Sequence, residues 1–250
     1  MSWALVTGAA HRLGRGVALD LARAGWSVAI HHRDSADAAE AVAKEARQHG
    51  VEAAVLQADL FDSKAAADLI AATTQLAPPG DFKALVNCAA IFEHDDISSL
   101  EEERFFRHME INALAPSLLS RDYAAALPFD AQGVVVNFLD FKLASPYPDH
   151  FSYTLSKYAL AGATELLARA LAPKVRVNAV APGYVLAAPG QDEGDYRRLH
   201  DDTPLKRGPT PEDVAHAVRF LVENPAVTGQ TVFVDGGRRF RSFDRDMAFM

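Results

Sequence analysis

Seven short apolar runs, separated by stretches of helical length, confine this 250-residue chain to one broad architecture. The runs fall at 3–7, 26–30, 51–57, 84–89, 134–138, 175–181 and 231–234. Each is short, apolar and partly β-branched, as a strand covered on both faces should be. Between them lie segments rich in Ala, Leu and charge, such as 36–49 and 63–77, and a last one at 211–223 with proline in its first turn. Strand–helix–strand alternation of this kind predicts an α/β fold: a doubly wound, parallel, seven-stranded sheet with helices on both faces, forming a single domain over 1–250. One connection breaks the rhythm. Residues 183–210 carry several Pro, Gly and Asp, and a link that long predicts a substrate lid or an insertion with its own short helix.

Composition excludes several partners. The chain has 25 basic and 33 acidic residues, a net charge of −8, which argues against nucleic acid or an anionic membrane as the main partner. No apolar stretch approaches the roughly 20 residues of a membrane span. A single cysteine, Cys88, permits no internal disulfide and reads as a small buried hydrophobe. The N-terminus runs straight into the first strand without a basic leader, so the expected location is the cytoplasm.

The first strand is followed by Gly8-Ala9-Ala10-His11-Arg12-Leu13-Gly14, which opens the first helix. Small residues let backbone approach a pyrophosphate, and a helix N-terminus offers free N–H groups and a positive dipole end. By itself such a turn can be a plain strand-to-helix turn, but as the first one of a doubly wound sheet it is expected to be a dinucleotide cradle of Rossmann type, with Gly8, His11, Arg12, Leu13 and Gly14 against the cofactor. Arg12 stands where a third glycine is common, and its guanidinium suits the pyrophosphate or the substrate. At the end of the second strand an NAD enzyme presents an acid to the ribose 2′-hydroxyl, and an NADP enzyme a cation. Here the acid's place falls on His32, followed by Arg33, which favours NADP (NADPH); the counter-reading takes Asp34 as the acid. No metal is expected. His31 and His32 point to opposite faces of a strand, and His94-Asp95-Asp96 reads as a solvated loop.

Tyr153-Thr154-Leu155-Ser156-Lys157 places a phenol and an ammonium four residues apart, on one face of a helix. A nearby cation is expected to lower the phenol's pKa and make it a better proton donor. Lys157 is also expected to reach the cofactor ribose.

The chain resembles the short-chain dehydrogenase/reductase superfamily through Thr7-Gly8…Arg12-Leu13-Gly14, Asp59-Leu60, Asn87-Cys88-Ala89-Ala90, Asn112, Tyr153…Lys157, Asn178…Pro182-Gly183 and Val227-Thr228-Gly229-Gln230…Val234-Asp235-Gly236-Gly237. These occur in family order over nearly the whole sequence. The resemblance implies that Asp59 and Leu60 border the adenine, that Asn87 and Ala89 lie along the cofactor, and that Pro182 and Gly183 flank the nicotinamide. It also implies that Asn112 kinks its helix and holds a proton-relay water, and that the protein is a homotetramer. Tails of this family often cross the tetramer interface, so an arginine of Arg238-Arg239-Phe240-Arg241 is expected to reach a neighbouring subunit's pocket.

One departure narrows the substrate. The superfamily usually carries serine about 13 residues before the tyrosine; here Asp140 holds that place, and Ser145 lies too close to Tyr153 to substitute. With Arg12-Leu13-Gly14 and the aromatic Phe92, this is similar to the pteridine reductase branch, which includes bacterial dihydromonapterin and dihydrofolate reductases. In that branch a phenylalanine and the nicotinamide sandwich the ring, a place Phe92 matches, although Ala90 and Ile91 replace the branch's usual serines. The expected function is NADPH-dependent reduction of a dihydropterin or dihydrofolate at a ring C=N. Arg12, Phe92, Asp140 and Tyr153 would meet the substrate; Asp140, Tyr153, Lys157 and Asn112 would serve catalysis. An NADP-dependent carbonyl reductase or alcohol dehydrogenase is the alternative. A non-catalytic dinucleotide-binding protein is disfavoured by the intact Tyr153 and Lys157.

Overall fold

The computed structural model describes residues 1–187, 191–241 and 246. Its strands are β1 (Trp3–Val6), β2 (Ser27–His32), β3 (Ala53–Gln57), β4 (Phe82–Asn87), β5 (Gly133–Phe138), β6 (Val175–Pro182) and β7 (Thr231–Val234). All pair in parallel in the order β3-β2-β1-β4-β5-β6-β7. The helices between them are α1 (Arg12–Arg23), α2 (Ala36–Arg47), α3 (Ser63–Leu76), α4 (Glu102–Met109), α5 (Ala115–Ala126), α6 (Phe151–Leu171), α7 (Glu193–Asp201) and α8 (Pro211–Glu223). Seven parallel strands in a doubly wound sheet agree with the sequence reading.

The period of two along each strand decides which layer its side chains join. In β1, Ala4 and Val6 pack with Val17, Leu21, Val42 and Val218 from α1, α2 and α8. Trp3 and Leu5 point the other way, to Leu69, Ile70, Leu119 and Tyr123 from α3 and α5. Both faces are therefore covered, which is why the strands read as unbroken apolar runs.

Helix ends follow local chemistry. Thr210 and Asp213 form a reciprocal capping box at the start of α8, with Pro211 in the first turn. Asp95, buried in the loop after β4, accepts from the Ser152 N–H at 3.1 Å and from the Ser152 hydroxyl, so it caps α6 from a distance. That corrects the reading of 94–96 as a solvated loop. The segment 183–210 contains α7, as its length implied; residues 188–190 lie outside the described ones. Among the described residues, no helix is long and apolar enough to cross a membrane.

Strand order reverses at β1, which lies between β2 and β4. Loops leaving the carboxyl ends of these strands diverge there and open a crevice, the place where doubly wound sheets bind ligands.

Candidate active site

The cradle is built from backbone. Gly8 has φ +65°, and a Cβ there would lie 2.9 Å from Ala89 Cα. A Cβ on Gly14 would lie 2.4 Å from the Gly8 carbonyl oxygen, so α1 approaches the turn closely only because Gly14 lacks a side chain. The Thr7 hydroxyl accepts from the N–H groups of Cys88 and Ala89, both at 3.0 Å, tying the end of β1 to the end of β4. His11, the residue at the cap position of α1, makes no side-chain cap, which leaves first-turn N–H groups for an anion.

His31 holds this turn in a way the sequence reading missed. Its Nδ1 accepts from the Gly8 N–H at 3.1 Å, and its Nε2 lies 3.1 Å from the Ala58 carbonyl oxygen. An N–H can only donate and a carbonyl only accept, so the ring is neutral with its proton on Nε2. Burial pushes its pKa down to about 4, with the Ala58 carbonyl opposing. An unfolded histidine takes up a proton near 6.5, whereas the folded one stays neutral until about 4. The folded state therefore loses stability as pH falls through this window, by about 3 kcal/mol in total. Urea unfolding at pH 7 and pH 5 should show His31→Leu to be less stable at pH 7 and less pH-sensitive than the native protein. Equal pH dependence in the two proteins would count against this role.

At the end of β2, His32 is buried, while Arg33 is exposed and its Nε lies 2.5 Å from Asp34 Oδ2. Asp34, the alternative acid, is thus engaged by its own neighbour. Exposed pairs of this kind contribute little, so a phosphate group can take Arg33 over. Asp59 and Leu60 border the same end, with Asp59 Oδ1 accepting from the Phe61 N–H at 3.0 Å.

At the other end, Asp140 caps a short 3-10 turn, Phe141–Leu143, where its Oδ1 accepts from the Lys142 N–H at 2.9 Å. Its second oxygen accepts from the Tyr153 hydroxyl at 2.9 Å. The residue is therefore both a loop cap and a partner of the phenol. Lys157 Nζ donates to the Phe138 carbonyl at 2.8 Å and lies 5.5 Å from the Tyr153 ring centroid. Burial lowers the Lys157 pKa to about 8. Burial also raises Asp140, against the opposing pull of Lys142, Tyr153 and Lys157. The expectation of a lowered Tyr153 pKa is overturned: burial and the Asp140 carboxyl raise it well above the ordinary value. Burial is the larger cause, and the carboxyl adds to it by touching the hydroxyl while the ammonium is bonded to a carbonyl.

Phe92 is half exposed, stacks on His150 with centroids 3.9 Å apart, and meets Tyr153 edge-on at 4.6 Å. Arg12 is exposed at φ +49°, with Nη1 donating to the Ala187 carbonyl of the 183–210 segment at 3.5 Å. Gly183 packs so closely that a Cβ would lie 2.8 Å from Asp235 Cα. One cleft of about 710 Å³ brings together Gly8, His11, Arg12, Leu13 and Gly14 of the cradle with His32, Arg33, Asp59 and Leu60. Ala89, Phe92, Asp140, Tyr153, Lys157, Pro182 and Gly183 line the same cleft. Cys88 lines it too, with burial pushing its thiol up to about 12.

Two expected site residues do not line it. The Asn87 side chain is buried between strands and donates to Asn137 Oδ1 at 2.9 Å; it joins β4 to β5 rather than facing a cofactor. Asn112 lies in a π-helical segment, Glu110–Leu114, between α4 and α5, which is the expected distortion of the helix. Its side chain accepts from the Ile91 N–H at 2.9 Å and donates to the Ile91 carbonyl and to the Ser156 hydroxyl, both at 3.0 Å. It therefore staples the loop carrying Phe92 to the helix carrying Tyr153.

The tail arginines are occupied within their own chain. Arg238 is buried and Nη1 donates to the carbonyls of Leu199 at 2.9 Å and Asp202 at 2.6 Å. Arg239 bonds Asp235 at 2.8 Å, and Arg241 pairs with Asp202. Arg238 is thus removed from the arginines expected to reach a neighbouring subunit. Lys142 and Asp246 line the cleft without having been anticipated; neither belongs to a recognisable spacing.

Comparison with known proteins shows the family and the fold. The family model described as enoyl-(acyl carrier protein) reductase matches residues 8–239. The crystal structure of FolM alternative dihydrofolate reductase 1 from Brucella canis, complexed with NADP, superposes with a TM-score of 0.90 at 39% identity, over 96% of this chain and 94% of that one. Its Brucella suis counterpart, in complex with NADP, gives 0.91 at 39% identity over 96% of both chains. Among curated sequences, the 3-oxoacyl-[acyl-carrier-protein] reductase FabG of Staphylococcus epidermidis is 31% identical over 94% of this chain and 97% of that protein.

Proposed function

The chain belongs to the short-chain dehydrogenase/reductase family, and from that premise we propose that it is an NADPH-dependent pteridine reductase. It would take a dihydropterin or dihydrofolate to the tetrahydro form. The observation that carries this reading is the 2.9 Å hydrogen bond from the Tyr153 hydroxyl to Asp140, a carboxyl where the family usually has serine.

The residues present fit the coenzyme. The uncapped start of α1 and the close packing of Gly8 and Gly14 leave a cradle that side chains would fill. Gly8, His11, Arg12, Leu13 and Gly14 would hold the pyrophosphate, Arg33 beside His32 the 2′-phosphate, and Asp59 and Leu60 the adenine. Ala89, Lys157, Pro182 and Gly183 would border the ribose and nicotinamide. The NADP complexes of the two FolM proteins support NADP over NAD. NADPH supplies a hydride to carbon when bound.

What this chain must add is a proton at nitrogen. Reduction of a ring C=N forms one C–H and one N–H bond. A serine hydroxyl suits a carbonyl oxygen, whereas a carboxyl sharing a proton with a phenol can deliver one to nitrogen and be refilled through its partner. Phe92, half exposed and edge-on to Tyr153, brings an aromatic ring beside that pair for a flat heterocycle. Arg12 sits between cradle and lid, placed to touch substrate as well as pyrophosphate. Lys157 holds a positive charge beneath the phenol ring, and Asn112 positions Phe92's loop against α6.

Carbonyl reduction is the second reading, favoured by the FabG relative. Oxidation of NADPH followed with dihydrobiopterin, dihydrofolate, a 3-oxoacyl thioester and a panel of ketones separates the two. The heterocycles are expected to be the better substrates, and preference for a ketone or thioester would overturn the pteridine reading.

The reading includes a cytoplasmic homotetramer. Exposed Phe106 and Leu114 line one surface groove with Ala159 and Ala163 of α6, an apolar patch suited to burial against another copy.

A further inference from the structure

Lys142 is a buried ammonium that the mechanism above does not use. It is 3% exposed and lies 5.0, 5.2 and 5.8 Å from the ring centroids of Tyr147, Phe92 and Tyr153. Its partner is the Asp246 carboxylate at 2.5 Å, also buried. Asp246 is fastened through its backbone, whose N–H donates to Asp149 Oδ2 at 2.6 Å, and the Ser145 hydroxyl donates to the Arg241 carbonyl at 2.7 Å. Lys142 is also joined to Asp140 through its backbone N–H, which donates to Asp140 Oδ1.

We propose that Lys142 and Asp246 are a positioning couple that sets how readily Asp140 keeps its proton. The ammonium acts on the buried Asp140 carboxyl, and Asp246 acts on the ammonium. The ammonium stabilises the carboxylate form. Asp246 cancels part of that ammonium, favouring the protonated form. Other groups face Asp140 as well. The Tyr153 phenol and Lys157 come from α6 and Tyr147 from the segment leading into it, while Cys88 lines the same cleft and His150 acts on Lys142. Tyr153 and Tyr147 stay protonated, their pKa values raised by burial. The Cys88 thiol is likewise protonated and His150 is held toward neutrality, both through burial. Lys157 is bound to the Phe138 carbonyl. Lys142 and Asp246 therefore form an adjustable pair of charges at this end of the cleft. The link to activity rests on the proton-delivery reading above; the effect on Asp140 does not.

The test is carbon NMR of the full-length protein saturated with NADP⁺ and labelled at aspartate carboxyls. The Asp140 signal is identified by its loss in Asp140→Asn. Lys142→Met should raise the Asp140 midpoint by about one pH unit, and Asp246→Asn should lower it by about as much. Lys142→Arg should keep the native midpoint, and the double variant should fall between the two single ones. Midpoints unmoved in both single variants, or moved in the same direction, would overturn the couple. Where Lys142→Met fails to fold, Asp246→Asn alone decides, and an unmoved or raised midpoint overturns the proposal. NADPH oxidation supplies a separate readout: activity lost on raising pH should shift with the NMR midpoint. A moved midpoint with an unmoved rate profile supports the couple and defeats the proton-delivery reading instead.

Discussion

Replacing Tyr153 with phenylalanine is expected to lower turnover by about 10²- to 10⁴-fold while NADPH still binds. The substitution removes only the hydroxyl. The ring that meets Phe92 and lies over Lys157 stays in place, so the cleft keeps its shape. What disappears is the single O–H that donates to Asp140. Asp140 is then left with one oxygen bonded to the Lys142 N–H and the other facing the cleft, and the path for resupplying its proton is cut. Burial already raises the Asp140 pKa, and the phenol's hydrogen bond is one of the groups opposing that rise; its loss favours the protonated carboxyl further. The variant is therefore expected to retain a single proton that it cannot readily replace. Steady-state NADPH oxidation and NADPH fluorescence titration measure the two halves of this expectation. Turnover at the native level would take Tyr153 out of the chemistry.

The second large effect lies at the opposite end of the cleft. Gly14→Ala should weaken NADPH binding by about 10²-fold, equivalent to about 2.7 kcal/mol. The added methyl would meet the Gly8 carbonyl oxygen at 2.4 Å, the Gly8 carbonyl carbon at 2.9 Å and Ala9 Cα at 3.1 Å. All three are backbone atoms, so no rotamer change relieves the overlap. Either α1 backs away from the turn or the turn opens, and both move the N–H groups meant for the pyrophosphate. Overpacking of this kind also costs about 1–3 kcal/mol of stability, so urea unfolding belongs beside the binding titration. Gly16→Ala is the natural control, because its Cβ would meet nothing closer than Pro211 Cβ at 3.6 Å. Native NADPH affinity in Gly14→Ala would mean that the cradle tolerates what its geometry forbids.

The fold was readable because each layer obeys a local period. Strands buried on both faces leave unbroken apolar runs, and β7 falls at 231–234 as read. Boundaries drifted where that signal fades: β4 begins at Phe82, earlier than its run suggested, and β3 at Ala53, after Val51 and Glu52. The site was readable wherever a role belongs to a spacing. Tyr153 and Lys157 share a helix face, and Asp140 stands 13 residues ahead of the phenol it bonds. Three-dimensional packing decided the rest. Asn87 follows the family pattern, yet its amide points between strands because Asn137 lies opposite it in the register of β4 with β5. His31 carries no motif; its importance comes from a backbone N–H and a carbonyl placed on either side of it. Lys142 meets Asp246 only through tertiary packing, since the two stand far apart in the sequence. The direction of the Tyr153 shift failed for the same kind of reason, since spacing reports the ammonium but not the burial.

The reversal of strand order at β1 has a further consequence. Segments after β2 and β3, with Arg33 and Asp59, stand on one flank of the crevice, and those after β5 and β6, with Asp140 and Gly183, stand on the other. Each flank carries its own set of lining residues. Coenzyme preference and substrate preference can therefore drift independently during descent, each altered by a few substitutions without renegotiating its counterpart. A scaffold divided in this way can acquire a new substrate while keeping the electron donor it already has.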